Sequence, residues 1–351
     1  MLALAQELRR TDPDGSVLVV GRDGGVAEDL VTAGGFPLET LRVSGFDVAN
    51  VVSVARFTVQ LPGAVRAARS VIRTFGADVV VGAAGYVSVP VVLAARTLGV
   101  PVMLMEQNAV PGRATRMLAR RGAVVAASFA GTAALLPRAR VVVTGNPIRA
   151  EVLAAARREL GEFCRHVLVM GGSQGAHTIN EAVAGCVEEL LTRWPDAQVT
   201  HQTGARDVDE IRALAATLPA PLRDRWRVEA FISDVGAAIV RADVVLMRAG
   251  GSSLAECTAL GRPMILVPYR FAGDHQRFNA APHVAAGAAR LIPDTQCDAA
   301  RVLAELSIVM EDSTPWRAMA RASSALGRPD AAARVSALLR GIARAPRRMT
   351  P

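Results

Sequence analysis

Two glycine-rich strings could do chemistry by residue type and spacing, GGSQGA at 171–176 and RAGGSSLAE at 248–256. Each follows an apolar run of strand character and precedes a segment of helical period. Backbone N–H groups therefore gather at a helix start, an arrangement that suits phosphate. Ser252 and Ser253 add hydroxyls there, and Glu256 falls about one helical turn further on, placed to accept hydrogen bonds from a ribose. One such turn alone is as often a packing device; two in one predicted domain point to a nucleotide. GGSQGA also satisfies the G-x-S-x-G pattern, with Ser173 as nucleophile and Glu256 and His275 following in triad order, so a serine hydrolase is an alternative reading. No HGGG-type oxyanion segment accompanies it.

Further polar groups follow other strand-like runs. GAAGYVSVP (82–90) and MEQNAVPGRATR (105–116) lie in the N-terminal half. Asn108 can donate and accept, which suits a sugar hydroxyl or amide, or a turn cap before Pro111 and Gly112. Arg149, in GNPIR, stands where a guanidinium would reach a nucleotide or solvent. DHQRFNA (274–280) groups His275, Gln276 and Asn279. The last two are three apart on one face of a helix start, good geometry for several hydroxyls or for a surface cap.

These loops need a frame. Short β-branched runs alternate with Ala/Arg/Leu segments of helical period, the pattern of parallel strands joined by crossover helices in an α/β fold. Strands are expected in SVLVVG (16–21), ADVVVG (77–82), PVMLM (101–105), VVVTG (141–145), HVLVMG (166–171), AQVTHQTG (197–204), ADVVLM (242–247) and MILVPY (264–269). Most end at glycine or a polar turn, at the carboxyl ends where doubly wound sheets bind ligands. The 351 residues accommodate two domains of about 150 each. Asn-Pro and a short charged helix over 146–165 mark the connection, dividing the chain into 1–149 and 150–328, with a helix at about 329–345 able to return to the first domain. The RAPRRMTP end reads as a frayed tail. A doubly wound domain normally opens with a strand and glycine turn, whereas this sequence opens with helix-like MLALAQELRR, so the first strand of that sheet is expected to be absent.

Composition narrows the function. Hydrophobic residues are 51%, charged residues 21%, and all 40 basic side chains are Arg, which excludes Schiff-base and lysine general-base chemistry. A net charge of +8 favours an anionic partner, such as a phosphorylated substrate or an anionic membrane surface. Nucleic acid is disfavoured, because aromatic content is 4% and Tyr86 and Tyr269 are the only tyrosines available for stacking on bases. Cys164, Cys186, Cys257 and Cys297 form no CxxC, and the histidines lack metal-ligand spacing, so a reduced, cytoplasmic protein with no metal or cofactor is expected. The N-terminus lacks the apolar stretch of a signal peptide. Uncharged Val79 to Ala95 is broken by Gly82, Gly85 and Pro90, so no transmembrane helix is expected.

Together GAAGYVSVP, MEQNAVPG, GNPIR, GGSQGAHTIN, HQTG, FISD, ADVVLMRAGGSSLAE, GRPMILVP and DHQRFNA, in this order over most of the chain, resemble the MurG family of UDP-N-acetylglucosamine transferases. That family adds GlcNAc to undecaprenyl-diphospho-muramoyl-pentapeptide, converting lipid I to lipid II in peptidoglycan synthesis. The resemblance implies an inverting enzyme with two Rossmann-like doubly wound domains facing a cleft (the GT-B type). The acceptor would bind mainly to the first domain and UDP-GlcNAc mainly to the second. By matching motif positions, Ser173 and the turn of Gly251, Ser252 and Ser253 would hold the diphosphate, with Leu254 adjoining. Ile232 would set its backbone against uracil, Glu256 would hold ribose, and Arg149 would approach the nucleotide. Asn108 and Gln276 would hold GlcNAc, with Asn279 beside them. Members also carry an N-terminal GGTGGH-like loop, whose histidine is a candidate base, and a histidine before EQN. This sequence has no match to the first and Met105 at the second. His275 and Glu106 are the substitutes it offers; a non-catalytic UDP-sugar-binding paralogue, or a transferase for another lipid or natural product, is the alternative.

A lipid-linked acceptor would place the first domain on the cytoplasmic face of the membrane. Residues 46–76 contain Phe46, Val51, Val52, Phe57, Val59 and Leu61 with Arg56, Arg66, Arg69 and Arg73, and no acid after Asp47. That mixture fits an interfacial patch, or equally a helix packed on a sheet.

Overall fold

The computed structural model describes residues 1–23, 27–45, 50–83, 85–119, 123–155, 159–172, 175–270 and 274–343. The chain forms two compact units, Met1–Arg149 with Asp330–Pro351, and Ala150–Pro329.

The second unit is built on six parallel strands, β7 (His166–Met170), β8 (Gln198–Gln202), β9 (Trp226–Glu229), β10 (Val244–Met247), β11 (Met264–Leu266) and β12 (Ala289–Leu291), in the order β12-β11-β10-β7-β8-β9. Val244, Val245 and Leu246 are wholly buried, as in a parallel sheet covered on both faces. The helix His177–Arg193 supplies Ile179, Val183, Val187 and Leu191 to the same core as Val167, Val169 and Trp316. The order reverses at β7, so the carboxyl ends of β7 and β10 lie side by side, the switch point at which doubly wound sheets bind ligands. All four cysteines are buried free thiols. Burial pushes Cys186 up to about 12 and Cys297 up to about 11, so neither is a thiolate near neutrality.

The first unit has six parallel strands, β1 (Val19–Arg22), β2 (Leu38–Leu41), β3 (Val80–Ala83), β4 (Val102–Glu106), β5 (Val124–Ala127) and β6 (Arg140–Val143). They do not make one sheet: β1 pairs with β2, and β3, β4, β5 and β6 form a separate ladder. The opening helix Leu2–Thr11 packs toward both. Its Leu4 and Leu8 meet Met103, Val81 and Leu339, and its Ala5 meets Val31, Phe36 and Val19. The helix Ala331–Ala343 joins this unit through Val335 and Leu339. The 25-residue helix Val51–Phe75 starts on an Asn50 cap, whose Oδ1 accepts from the Ser53 N–H at 3.2 Å, and ends on Gly76 at φ +70°.

Sequence periodicity predicts eight strands, whereas twelve form among the described residues. The additional four are β2, β5, β9 and β12. Three are edge strands, β2, β9 and β12, where charged residues such as Glu39, Arg227 and Arg290 interrupt the apolar pattern. SVLVVG is shifted to Val19–Arg22, and MILVPY shortens to Met264–Leu266.

Candidate functional site

In the second unit a loop leaves the carboxyl end of each of the six parallel strands. The loop after β7 is shaped by backbone contacts. Gly171 N donates to Gln202 O at 3.1 Å and Gly175 N to Gly172 O at 3.1 Å. Gly175 has φ +77°, and a Cβ there would stand 2.3 Å from Thr203 O. Any other residue would be both strained and in collision. Ser173 lies outside the described residues, so the hydroxyl expected on the diphosphate has no position to report.

The loop after β10 leads into the helix Gly251–Ala259, which starts at Gly250 with no side-chain cap. Its first-turn N–H groups need partners from outside the helix. Ser252 is exposed, while Gly251, Ser253 and Glu256 are half-buried along the loop and first turns. Leu254 is 1% exposed, its side chain filling the core beneath this turn.

The helix His275–Ala285 is wired to the β10 loop. Gln276 Oε1 accepts from Ala249 N at 3.1 Å and from Tyr269 N at 3.0 Å, which leaves its amide NH2 as the group available to a ligand. Asn279 is wholly buried and its Nδ2 donates to Ala249 O at 3.2 Å. That contact supports the loop on which Gln276 also bears. Asp274 precedes this helix at φ +60°, the one non-glycine residue of positive φ among those described. An aspartate tolerates that conformation better than most residues, and such strain collects at functional turns. His275 is half-buried, and its Nδ1 has no hydrogen-bond partner among the described residues.

Two features here escaped sequence reasoning. Arg248 Nη1 donates to Val267 O at 3.0 Å, its guanidinium pairs with the nearly buried Asp294 carboxylate, and it lies 5.3 Å from the Tyr269 ring centre. It ties the ends of β10 and β11 together; the signal was an arginine directly after an apolar strand. Phe231, beside half-buried Ile232 in the turn before the helix Val235–Arg241, is 62% exposed. An exposed aromatic in a ligand-edge loop is a candidate surface for a flat base.

In the first unit Glu106 ends β4 nearly buried. Its Oε1 accepts from Asn108 N at 3.0 Å and Asn108 Nδ2 at 3.3 Å, and its Oε2 accepts from Gly112 N at 3.0 Å. Both oxygens take part in shaping the EQNAVPG turn. Asn108 spends an amide hydrogen on it. Arg149 is half-buried at the end of this unit's main segment.

On the helix Val51–Phe75, Val51, Val52 and Val59 are 79%, 67% and 80% exposed. Val52, Arg56, Val59, Arg66 and Arg73 follow steps of four, three, seven and seven residues on one outward stripe, with both valines and all three arginines exposed. Phe57 instead faces the core, Leu61 packs on it, and Arg69 donates to Thr97 Oγ1 at 2.9 Å. These three leave the expected patch; Phe46 lies outside the described residues. Among the described residues, no helix is long and apolar enough to cross a membrane.

Comparison with known proteins bears on both units. Residues 1–127 match the glycosyltransferase family 28 N-terminal domain and residues 166–335 its C-terminal domain. The chain is 37% identical over 346 residues to the UDP-N-acetylglucosamine–N-acetylmuramyl-(pentapeptide) pyrophosphoryl-undecaprenol N-acetylglucosamine transferase of Desulforudis audaxviator, covering 94% of this chain and 91% of that protein. It is 33% identical to the protein of the same name from Bacillus cytotoxicus, with 94% and 92% covered. Among solved structures it resembles MurG of Acinetobacter baumannii, with a TM-score of 0.75, 26% identity, and 97% and 94% of the two chains covered.

Proposed function

The chain belongs to glycosyltransferase family 28, and from that premise we propose that it transfers GlcNAc from UDP-GlcNAc to an undecaprenyl-diphospho-MurNAc-pentapeptide, the reaction named for its relatives. One observation carries the donor assignment. Two glycine-rich loops leave the adjacent parallel strands β7 and β10, and the second opens a helix whose start has no side-chain cap. An anionic diphosphate is the kind of acceptor that such a helix start binds.

On this reading Gly251, Ser252 and Ser253 contact the diphosphate, Glu256 accepts from the ribose hydroxyls, Ile232 sets its backbone against uracil with Phe231 beside it, and the Gln276 amide reaches the sugar. Ser173 and Arg149 complete the donor contacts by motif position. Transfer with inversion needs a base for the acceptor hydroxyl. Of the two candidates, His275 has a ring nitrogen with no hydrogen-bond partner among the described residues, while Glu106 already accepts three hydrogen bonds, so His275 is the better placed substitute for the family's N-terminal histidine, and turnover through it is low. The first unit holds the acceptor, and the exposed stripe of Val52, Arg56, Val59, Arg66 and Arg73 rests on the cytoplasmic face of an anionic membrane.

The test is transfer of labelled GlcNAc from UDP-GlcNAc to a short-chain polyprenyl-diphospho-MurNAc-pentapeptide. Label enters the lipid product, at a low rate, and UDP-glucose does not replace the donor. Equal use of UDP-glucose, or no incorporation even at long incubation, contradicts the assignment.

A further inference from the structure

The second unit carries a cavity of about 470 Å³ whose charged lining side chains are Glu159, Arg262, Arg317 and Arg321. Glu159 lies in the segment leading to β7, and Gly261 and Arg262 lie in the turn leading to β11, so the cavity sits toward the amino ends of the strands. The proposed donor loops leave the carboxyl ends. The helix Gly251–Ala259 starts at one of those loops and ends at the Leu260–Gly261 turn that walls the cavity. Its 9 residues set the two places about 14 Å apart, too far for one small anion to reach both.

Packed backbone fixes the wall. Arg262 is 2% exposed; its N–H donates to Cys257 O at 2.9 Å and its carbonyl accepts from Ser323 Oγ at 2.8 Å. Gly261 has φ +67°, and a Cβ there would stand 2.3 Å from Ser324 Oγ, so this turn closes on the helix Ser313–Leu326. That helix supplies Arg317 and Arg321, four residues apart on one face. Arg317 Nη2 donates to Gly161 O at 2.6 Å, tying the helix to the segment that carries Glu159. Among the described residues neither Arg317 nor Arg321 is ion-paired with a carboxylate. The carboxyl end of the helix Gly251–Ala259 disfavours an anion. Its Glu256, Cys257 and Thr258 carbonyls, however, already accept from Leu260 N, Arg262 N and Gly261 N. Against that weakened dipole and one carboxylate stand three guanidiniums.

The chemistry of the lining selects the ligand. Guanidinium forks match the oxygens of a phosphate group. Among the described residues no aromatic ring lines the cavity, so nothing there stacks on a base. We propose that this cavity is a second anion site, which takes a small soluble phosphate compound, such as inorganic diphosphate or a sugar phosphate, through Arg262, Arg317 and Arg321. It lies wholly within the second unit, and it is filled independently of the donor at the opposite edge.

The experiment is calorimetric titration of the full chain with inorganic diphosphate at fixed ionic strength, in the presence of saturating UDP-GlcNAc. Diphosphate is expected to bind, and Arg321→Gln, at an exposed position, to raise its Kd about tenfold, the scale of one lost charged hydrogen bond. Glu159→Gln, also exposed, is expected to lower the Kd about threefold, the scale of one exposed charge. Arg138→Gln, the same change of charge at an exposed position of the first unit, leaves the Kd where it was. No binding of diphosphate, binding abolished by UDP-GlcNAc, or Arg138→Gln as damaging as Arg321→Gln overturns the inference while leaving the donor assignment standing. Reduced sedimentation of the Arg321→Gln chain with anionic vesicles would put a lipid headgroup in the cavity and overturn the assignment to a soluble compound. A chain that binds diphosphate with these variant effects but does not bind UDP-GlcNAc upholds the second site and overturns the donor assignment alone.

Discussion

The two units carry similar architecture to different degrees of closure. In the second, six strands form one sheet, and the loops at its carboxyl edge are fixed by polar side chains: buried Asn180 on Thr203, buried Asn279 on Ala249, and half-buried Gln276 on Ala249 and Tyr269. In the first, the strands fall into a pair and a separate ladder of four, joined by side chains of the opening helix. The EQNAVPG turn is organised by one carboxylate, Glu106. The difference teaches that binding and turnover need not stand or fall together. A nucleotide edge can be preformed in a chain in whose other unit, among the described residues, β1 and β3 lie in separate sheets.

The largest effect is expected from offering β1 and β3 a common neighbouring strand. Appending ahead of Met1 a strand and a GGTGGH-like loop, as the family resemblance specifies, is expected to raise turnover by at least about 100-fold, the contribution of a positioned base. Donor affinity should change little. The extension also replaces with a peptide bond an α-amino group that burial holds below its ordinary pKa. Equal turnover with and without it would show that His275 or another group already suffices, and that the divided sheet costs nothing.

A second effect belongs to the second unit alone. His201 is wholly buried and desolvation holds it neutral, down to about 3. Its folded pKa is depressed, so its contribution to stability is present above the unfolded value of about 6.5 and is lost as pH falls from there toward 3, by at most about 1.4 kcal/mol per pH unit. Urea unfolding followed at several pH values should show this slope, and His201→Gln should flatten it. An unchanged slope would place the acid sensitivity elsewhere.

Backbone fit gives a third. Gly175→Ala adds a Cβ against Thr203 O at positive φ and is expected to cost about 2 kcal/mol of stability. A thermal midpoint equal to wild type would mean the loop has room to shift, contrary to the rigid edge described here.

The smallest effect concerns the first unit. Replacing Arg56, Arg66 and Arg73 with Gln removes cations worth roughly 1 kcal/mol each at an anionic bilayer before screening. Co-sedimentation with anionic vesicles should fall and weaken further with salt. Equal sedimentation with neutral vesicles would reject electrostatic docking.

How much of this was legible in the sequence follows the same division. The buried strands of the second unit announce themselves as unbroken Val/Leu runs, and the glycine loops sit at their ends. Edge strands such as β9, WRVE, carry charges on their open side and escape periodicity. Glu106, Leu254 and Asn279 show a further limit. Motif position places them at the site, but only burial and hydrogen bonding separate a residue that shapes a loop from one that touches ligand. Arg262 lies in plain view within GRPMILVP, yet Arg317 and Arg321 come from a helix that carries no motif and meet it only in the fold.

The central claim is that the second unit's loops bind UDP-GlcNAc, with Glu256 on the ribose. Calorimetry of the full chain against UDP-GlcNAc and a guanine nucleotide tests it most directly. The uridine donor is expected to bind and the guanine nucleotide not. Glu256→Ala should weaken binding by about 1 to 3 kcal/mol, the range for a lost hydrogen bond to a charge. Equal affinity for the two nucleotides, or a silent Glu256→Ala, would contradict the account.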